Sequence, residues 1–168
     1  MILLDFFDII KGRRSVRQYS NKPIDKEILR ELVDTARLAP SANNIQSWEF
    51  VVVTERKMLR EISEKATWGK FIKDAAAAII VSGKRDNSYI VEDCSAATEN
   101  ILLAAKAFGI GSCWVAGYKK EYSEEIGKML ELPKGIVIVS IISLGYPLGE
   151  NVIHDKRALK DLLHWEKY

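Results

Sequence analysis

A chain of 168 residues has the length of one domain, and 48% apolar with 29% charged residues excludes a disordered tail protein. Its 25 Lys and Arg stand against 23 Asp and Glu, so a net charge of +2 leaves no cation surplus for a nucleic-acid backbone. The longest apolar runs, such as residues 75–81, hold about seven residues, far short of a bilayer span.

The first helix is expected over residues 3–11, where Leu3, Phe6, Phe7 and Ile10 share a stripe that Gly12 closes. Asp5 and Asp8 interrupt that apolar stretch and the basic cluster follows it, so it does not read as a secretory signal. RRSVRQYSNKP then reads as extended chain or loop. Asp25 caps a second helix with Ile28, Leu29, Leu32, Val33 and Ala36 at the 3.6 period, ending before Pro40. SANNIQSW is turn chemistry, and EFVVV after it is a short β-branched strand. A third helix spans about residues 55–65, and residues 76–82 form a buried strand. The longest helix runs from about residue 89 to 108, with Gly109 as its stop. SCWV reads as a strand, residues 123–132 as a helix, and IVIVSIISL as a strand buried on both faces. KRALKDLLHWEKY looks amphipathic. No repeat or linker divides the chain, so residues 1–168 are expected to form one α+β or mixed α/β domain around four or five strands.

Three clusters carry candidate chemistry. In an extended segment Arg13, Ser15 and Arg17 point to one side, a two-guanidinium, one-hydroxyl face suited to a phosphate and a neighbouring polyol. The plainer alternative is a solvated basic turn. Ser41, Asn43, Asn44 and Gln46 make the second cluster amide-rich, fit either for a planar heterocycle or for bonding its own backbone. In GIGSCWVAGY, Ala116 and Gly117 let the backbone approach a flat ligand closely, while Trp114 stacks or merely packs. No GxGxxG, GxxxxGK[ST], HExxH or GxSxG occurs. His154 and His164 lack any local catalytic signature, and His164 beside Trp165 reads as packing or surface. Cys94 and Cys113 form no metal-ligand grouping and read as buried small hydrophobes, with the cytoplasm as the expected compartment. If the chain is an enzyme, two histidines and no catalytic motif leave its reactivity to a cofactor.

In this order the pieces resemble the nitroreductase family of FMN-dependent oxidoreductases. RRSVRQY is similar to its Arg-x-Ser-x-Arg/Lys element, and APSANNIQSWEFVVV to its Pro-Ser…Asn-x-Gln-Pro-Trp loop and strand. EDCSAATENILLAAKAFGIGSCWVAGY resembles its central helix and flavin-facing turn, and LPKGIVIVSIISLGYPLGE its late strand. The resemblance implies a three-layer α+β fold with a central mixed sheet of four to five strands, assembled as an intertwined homodimer with FMN at the interface. It assigns the FMN phosphate to Arg13 and Ser15, with Arg14 in the same cofactor-binding segment but its side chain facing away from Arg13, and Arg17 nearer the ribityl chain and pyrimidine edge. Arg157 is the implied last phosphate ligand, and Asp155 stands where the family carries Lys, with Lys156 displaced by one. Backbone N–H groups of Ala116 and Gly117 are implied to address flavin N5 and O4, with Trp114 and Val115 lining the ring. Pro40, Ser41 and Asn44 are implied to reach the partner's flavin; Ser47 replaces a usual Pro, and Trp68, Lys70 or Lys73 adds a ring contact. The implied reaction is ping-pong: NAD(P)H reduces FMN, and a nitroaromatic, quinone or flavin-type acceptor is reduced next. A non-catalytic FMN-storage module, a flavin-dependent dehalogenase and a flavin-fragmenting enzyme are the alternatives.

Overall fold

The computed structural model describes residues 5–149 and 155–168; Leu3 and His154 lie outside them. The helices are α1 (Phe6–Gly12), α2 (Lys26–Ala36), α3 (Arg56–Lys65), α4 (Ile90–Ala107) and α5 (Glu121–Met129). The strands are β1 (Trp48–Val53), β2 (Ala77–Lys84), β3 (Gly111–Ala116) and β4 (Ile136–Gly145). Local signals explain several ends. Asp25 accepts the Glu27 N–H at 2.8 Å and starts α2. Gly109, at φ 71°, ends α4 by bonding Lys106 O while Ile110 N–H reaches back to Ala105 O, satisfying two otherwise orphaned carbonyls. The helix expected at residues 123–132 begins earlier, at Glu121, and the amphipathic C-terminus contains only a short 3-10 turn, Leu159–Asp161.

The sheet order is β1-β2-β4-β3, and every strand pair is antiparallel. This corrects the expected mixed sheet: among the described residues the one parallel contact is an isolated bridge, Ser15 to Ser112. The continuous apolar runs in β2 and β4 fix burial and not direction, since helices on both faces bury an antiparallel strand as fully as a parallel one. The three-layer arrangement follows from the period of two. Ala77, Ile79 and Val81 of β2 pack with Leu29 and Leu32 of α2 and Cys94, Ala97 and Ile101 of α4. Ala78 and Ile80 face the other way, onto Leu59 and Ile62 of α3 and Ile126 of α5.

Two facing glycines seat the basic segment. Gly111 and Gly145 pair across β3 and β4. A Cβ on Gly111 would stand 2.8 Å from Val16, and one on Gly145 2.7 Å from the Tyr19 ring. Only bare backbone there lets residues 16–19 lie flat on the end of the sheet. Val16 N–H then bonds Ser112 O at 2.9 Å, and Tyr19 buries its ring while its hydroxyl meets Val16 O at 2.5 Å and Ser143 Oγ at 2.7 Å.

Candidate functional site

Residues 13–17 run beside β3, the edge strand. Arg13 is half-buried and pairs with Glu99 of α4 at 3.3 Å. Arg17 lies over the Phe71 ring at 5.6 Å. Burial pushes the Cys113 thiol up, while the Arg17 guanidinium, the Ser15 hydroxyl and the Arg13 guanidinium pull it back. One thiol therefore feels all three groups that the alternation had put on one side. Arg14 does not join them: its guanidinium turns back to Lys11 O at 2.6 Å and Arg13 O at 2.7 Å, covering carbonyls at the end of α1. A cleft of about 50 Å³ between Arg13, Arg14, Lys106 and Gly109 has room for a few waters only.

The edge of β3 supplies backbone donors. Gly117 N–H bonds Val139 O at 2.9 Å, so residues 113, 115 and 117 direct their backbone groups toward β4, while 112, 114 and 116 direct theirs away. The segment above uses the outward carbonyl of Ser112 and leaves Trp114 and Ala116 uncovered on the exposed edge. The Ala116 carbonyl accepts the Tyr122 hydroxyl, and Gly117 O accepts the Ser123 hydroxyl at 2.6 Å. What remains at this corner is a donor, the outward Ala116 N–H. The Gly117 amide, expected to address a ligand as well, is spent within the chain. The ladder register is responsible: Ala116 pairs with Ser140, so the next rung sets Gly117 against Val139, whose carbonyl takes both Gly117 N–H and Tyr118 N–H. Gly117 also has a packing reason to be glycine, since a Cβ would lie 2.6 Å from Ile138 Cγ2 and 3.2 Å from the Val139 backbone. Val115 turns its side chain into the core beneath α5 and its backbone groups toward β4, so it offers nothing to the edge, whereas Trp114 is 37% exposed.

The amide-rich loop stands elsewhere along α4. Residues Ala42–Asn44 form a 3-10 turn, with Asn43, Asn44 and Gln46 all at positive φ. Ser41 Oγ accepts the Gln46 N–H at 3.0 Å, so part of the loop does bond its own backbone. Asp93, in the first turn of α4 and 4% exposed, accepts Ala42 N–H at 2.9 Å and Asn87 Nδ2 at 3.1 Å. Glu99, the partner of Arg13, lies six residues further, roughly 9 Å along the helix axis. Pro40 and Asn44 are exposed, and among the described contacts none joins this loop to residues 13–17 of the same chain. Arg157 is exposed and donates to Asp161 O at 2.8 Å; it too stays apart from Arg13, as do the exposed Asp155 and Lys156. Lys70 is committed to the end of α3, bonding Ser63 O and Glu64 O, while Trp68 is 75% exposed and Lys73 exposed. Cys94 and Cys113 are both free and buried, and among the described residues no group of His, Cys, Asp and Glu has metal-site geometry. His164 stacks on Tyr168 at 4.4 Å. No described helix is long and apolar enough to cross a membrane.

Sequence reasoning missed Glu99, Asp93, Phe71 and Tyr122. Asp93 and Glu99 look like ordinary helix acids, and only tertiary contact distinguishes the buried anchor from the exposed ion pair.

The arrangement, two guanidiniums and a hydroxyl at one end of an edge strand and a lone backbone donor at the other, suits a ligand with a phosphate and a flat polar ring. The model of the Nitroreductase family matches residues 10–69 and 63–146. The chain belongs to that family. A relative from Archaeoglobus fulgidus, named after NADH dehydrogenase and NAD(P)H nitroreductase activity, is 43% identical over 168 residues, covering 95% of this chain and 97% of the relative. A crystal structure from Bacteroides thetaiotaomicron with the same naming superposes with TM-score 0.91 at 37% identity, covering 97% and 98% of the two chains. A structure from Clostridium difficile titled FMN-dependent nitroreductase gives 0.90 at 31%, covering 96% and 99%. Membership and near-complete overlap extend the three-layer reading to the whole described core.

Proposed function

We propose that this chain is an FMN-dependent oxidoreductase, one domain over residues 1–168, that takes a hydride from NAD(P)H and passes it to nitroaromatic, quinone or flavin-type acceptors in a ping-pong cycle. The observation that carries this reading is the line of Arg13, Ser15 and Arg17 beside one edge strand: Ser15 is bridged to Ser112, and the far end of the strand turns the Ala116 N–H outward. Those groups fit FMN, whose phosphate needs charge-assisted donors and whose ring needs a polar edge contact. When bound, FMN supplies reversible hydride acceptance, which no side chain of this protein provides.

The chain's own residues bind and orient. Arg13 and Ser15 hold the phosphate, and Glu99 keeps the Arg13 guanidinium aimed along α4. Arg17, fixed over Phe71, offers its charge to the pyrimidine edge, where a cation stabilises the reduced ring. Ala116 N–H donates to the ring, and Tyr122 holds the adjoining carbonyl turned away. Trp114 covers one face of the ring. Arg14 contributes to the conformation of the segment rather than to the ligand.

The working unit is a homodimer in which Pro40, Ser41 and Asn44 complete the partner's site. Support comes from what one chain leaves uncovered: Phe6 and Phe7 on α1, and Leu159, Leu162 and Trp165 in the C-terminal segment are all more than half exposed. Arg157 lies in that segment, so it reaches a phosphate only across such an interface.

Purified protein is expected to be yellow and to bleach when NADPH is added without oxygen. A colourless preparation that takes up no added FMN refutes the reading. Arg13→Ala removes one charge-assisted contact, so FMN affinity should fall by about 10- to 100-fold, read by fluorescence titration. Unchanged affinity would move the phosphate elsewhere.

A further inference from the structure

A second cleft, larger than anything near Arg13, opens between α5 and the entry to β4. Its volume is about 750 Å³, within the range of small-molecule sites. Five cations line it: Arg85, Lys119, Lys120, Lys128 and Lys134. Among the described residues none of the five has an ion-pair partner, although Glu121 and Glu124 line the same cleft. Five charges of one sign against two of the other, left unpaired around a concavity, concentrate anions there. Apolar groups, Leu132, Pro133, Ile136 and Ile138, line it as well, and Tyr118 adds a ring. Gly127 keeps it open: it sits on the cleft side of α5, where a Cβ would meet only Leu132 Cδ1, at an ordinary 3.6 Å.

Cations together with an apolar lining select a flat, uncharged heterocycle that carries phosphates. We infer that this cleft binds a nucleoside diphosphate group, at a site separate from Arg13, Ser15 and Arg17. An inorganic anion would leave the apolar lining unused, and a neutral aromatic would leave the lysines unused. The site borders Gly117, the residue after the Ala116 donor, so a ligand here lies beside the corner at which β3 ends. The site does not depend on the oxidoreductase reading. A free nucleotide and the adenosine-diphosphate half of a dinucleotide share the required chemistry.

The test is calorimetric titration of the protein as purified with ADP and with adenosine. Two variants accompany the wild type: the double charge reversal Lys120→Glu/Lys128→Glu and the cleft-filling Gly127→Leu. The latter replaces a helical glycine with a better helix former and keeps the fold. ADP should bind the wild type, and each variant should weaken it at least tenfold while the melting temperature stays near that of the wild type. Adenosine should bind at least tenfold more weakly than ADP. Arg13→Ala, which lowers flavin affinity, should leave ADP binding intact, so failure of one site is read apart from failure of the other. ADP that competes with NADPH identifies the dinucleotide half as the ligand, and ADP that binds without competing identifies a separate nucleotide. No ADP binding, equal affinity in all three proteins, or loss of ADP binding in Arg13→Ala overturns the inference.

Discussion

Replacing Asp93 should detach the amide-rich loop from the long helix. The carboxylate is 4% exposed and accepts two hydrogen bonds, from Ala42 N–H and Asn87 Nδ2. Bonds to a charged group contribute about 1.5–3 kcal/mol each, so the gross loss in Asp93→Ala is about 3–6 kcal/mol. Two effects reduce it. Asn87 keeps a second partner in Ser47 Oγ at 2.7 Å, and Ala is a better helix residue than Asp by about 0.6 kcal/mol. A net destabilisation of about 2–3 kcal/mol remains, which for a chain of this size is roughly 5–10 °C in Tm by circular dichroism. Asp93→Asn retains an oxygen for Ala42 but turns an NH2 toward the Asn87 NH2, so it should cost about half as much. Hydrogen exchange gives a local reading: the Ala42 amide should lose protection in Asp93→Ala before the sheet amides do. A melting curve within 1 °C of the wild type, with Ala42 still protected, would refute the assignment of Asp93 as the loop's anchor.

Gly117→Ala places a methyl 2.6 Å from Ile138 Cγ2 and 3.2 Å from the Val139 backbone, and should cost about 1–3 kcal/mol in chemical denaturation. Tyr19→Phe removes the hydroxyl shared by Val16 O and Ser143 Oγ and should cost about 1–2 kcal/mol. Burial holds the Tyr19 phenol well above its ordinary 10.0, so the native state keeps a proton that the unfolded chain releases. Stability is therefore full below about pH 10 and falls as pH rises beyond it, and Tyr19→Phe should flatten that fall in urea titrations at pH 9 and pH 11. Burial pushes the Cys94 thiol up to about 12, leaving almost no thiolate at pH 8. Both buried cysteines should resist a thiol reagent in the native protein and react in denaturant; fast native labelling would contradict the packing of α4 on the sheet.

The reading of particular residues shows where sequence information stops. Asp25, Gly109 and the α2 stripe act within a few positions of themselves, so their roles as cap, stop and buried face were legible from spacing alone. The alternation around Val16 was legible as well: Val16 is buried while Ser15 and Arg17 on either side of it are exposed, as an extended segment's period of two requires. That Arg14 faces away from Arg13 follows from the same period, but that its guanidinium turns back to the carbonyls of Lys11 and Arg13 does not. Strand direction was not legible, since β2 and β4 are apolar on both faces whichever way their neighbours run.

What the amino-acid order determined by itself was the set of elements, their facing sides and the family to which they belong. Only tertiary structure decided which hydrogen-bonding groups remain for a ligand. Ala116 keeps its outward donor and Gly117 loses its own because β4 flanks β3 on one side only: Gly117 N–H faces it and meets the carbonyl of Val139, twenty-two residues further on, while Ala116 N–H faces the open edge. Periodicity and capping are local properties of a chain, whereas the saturation of a donor depends on whatever distant segment the fold brings against it.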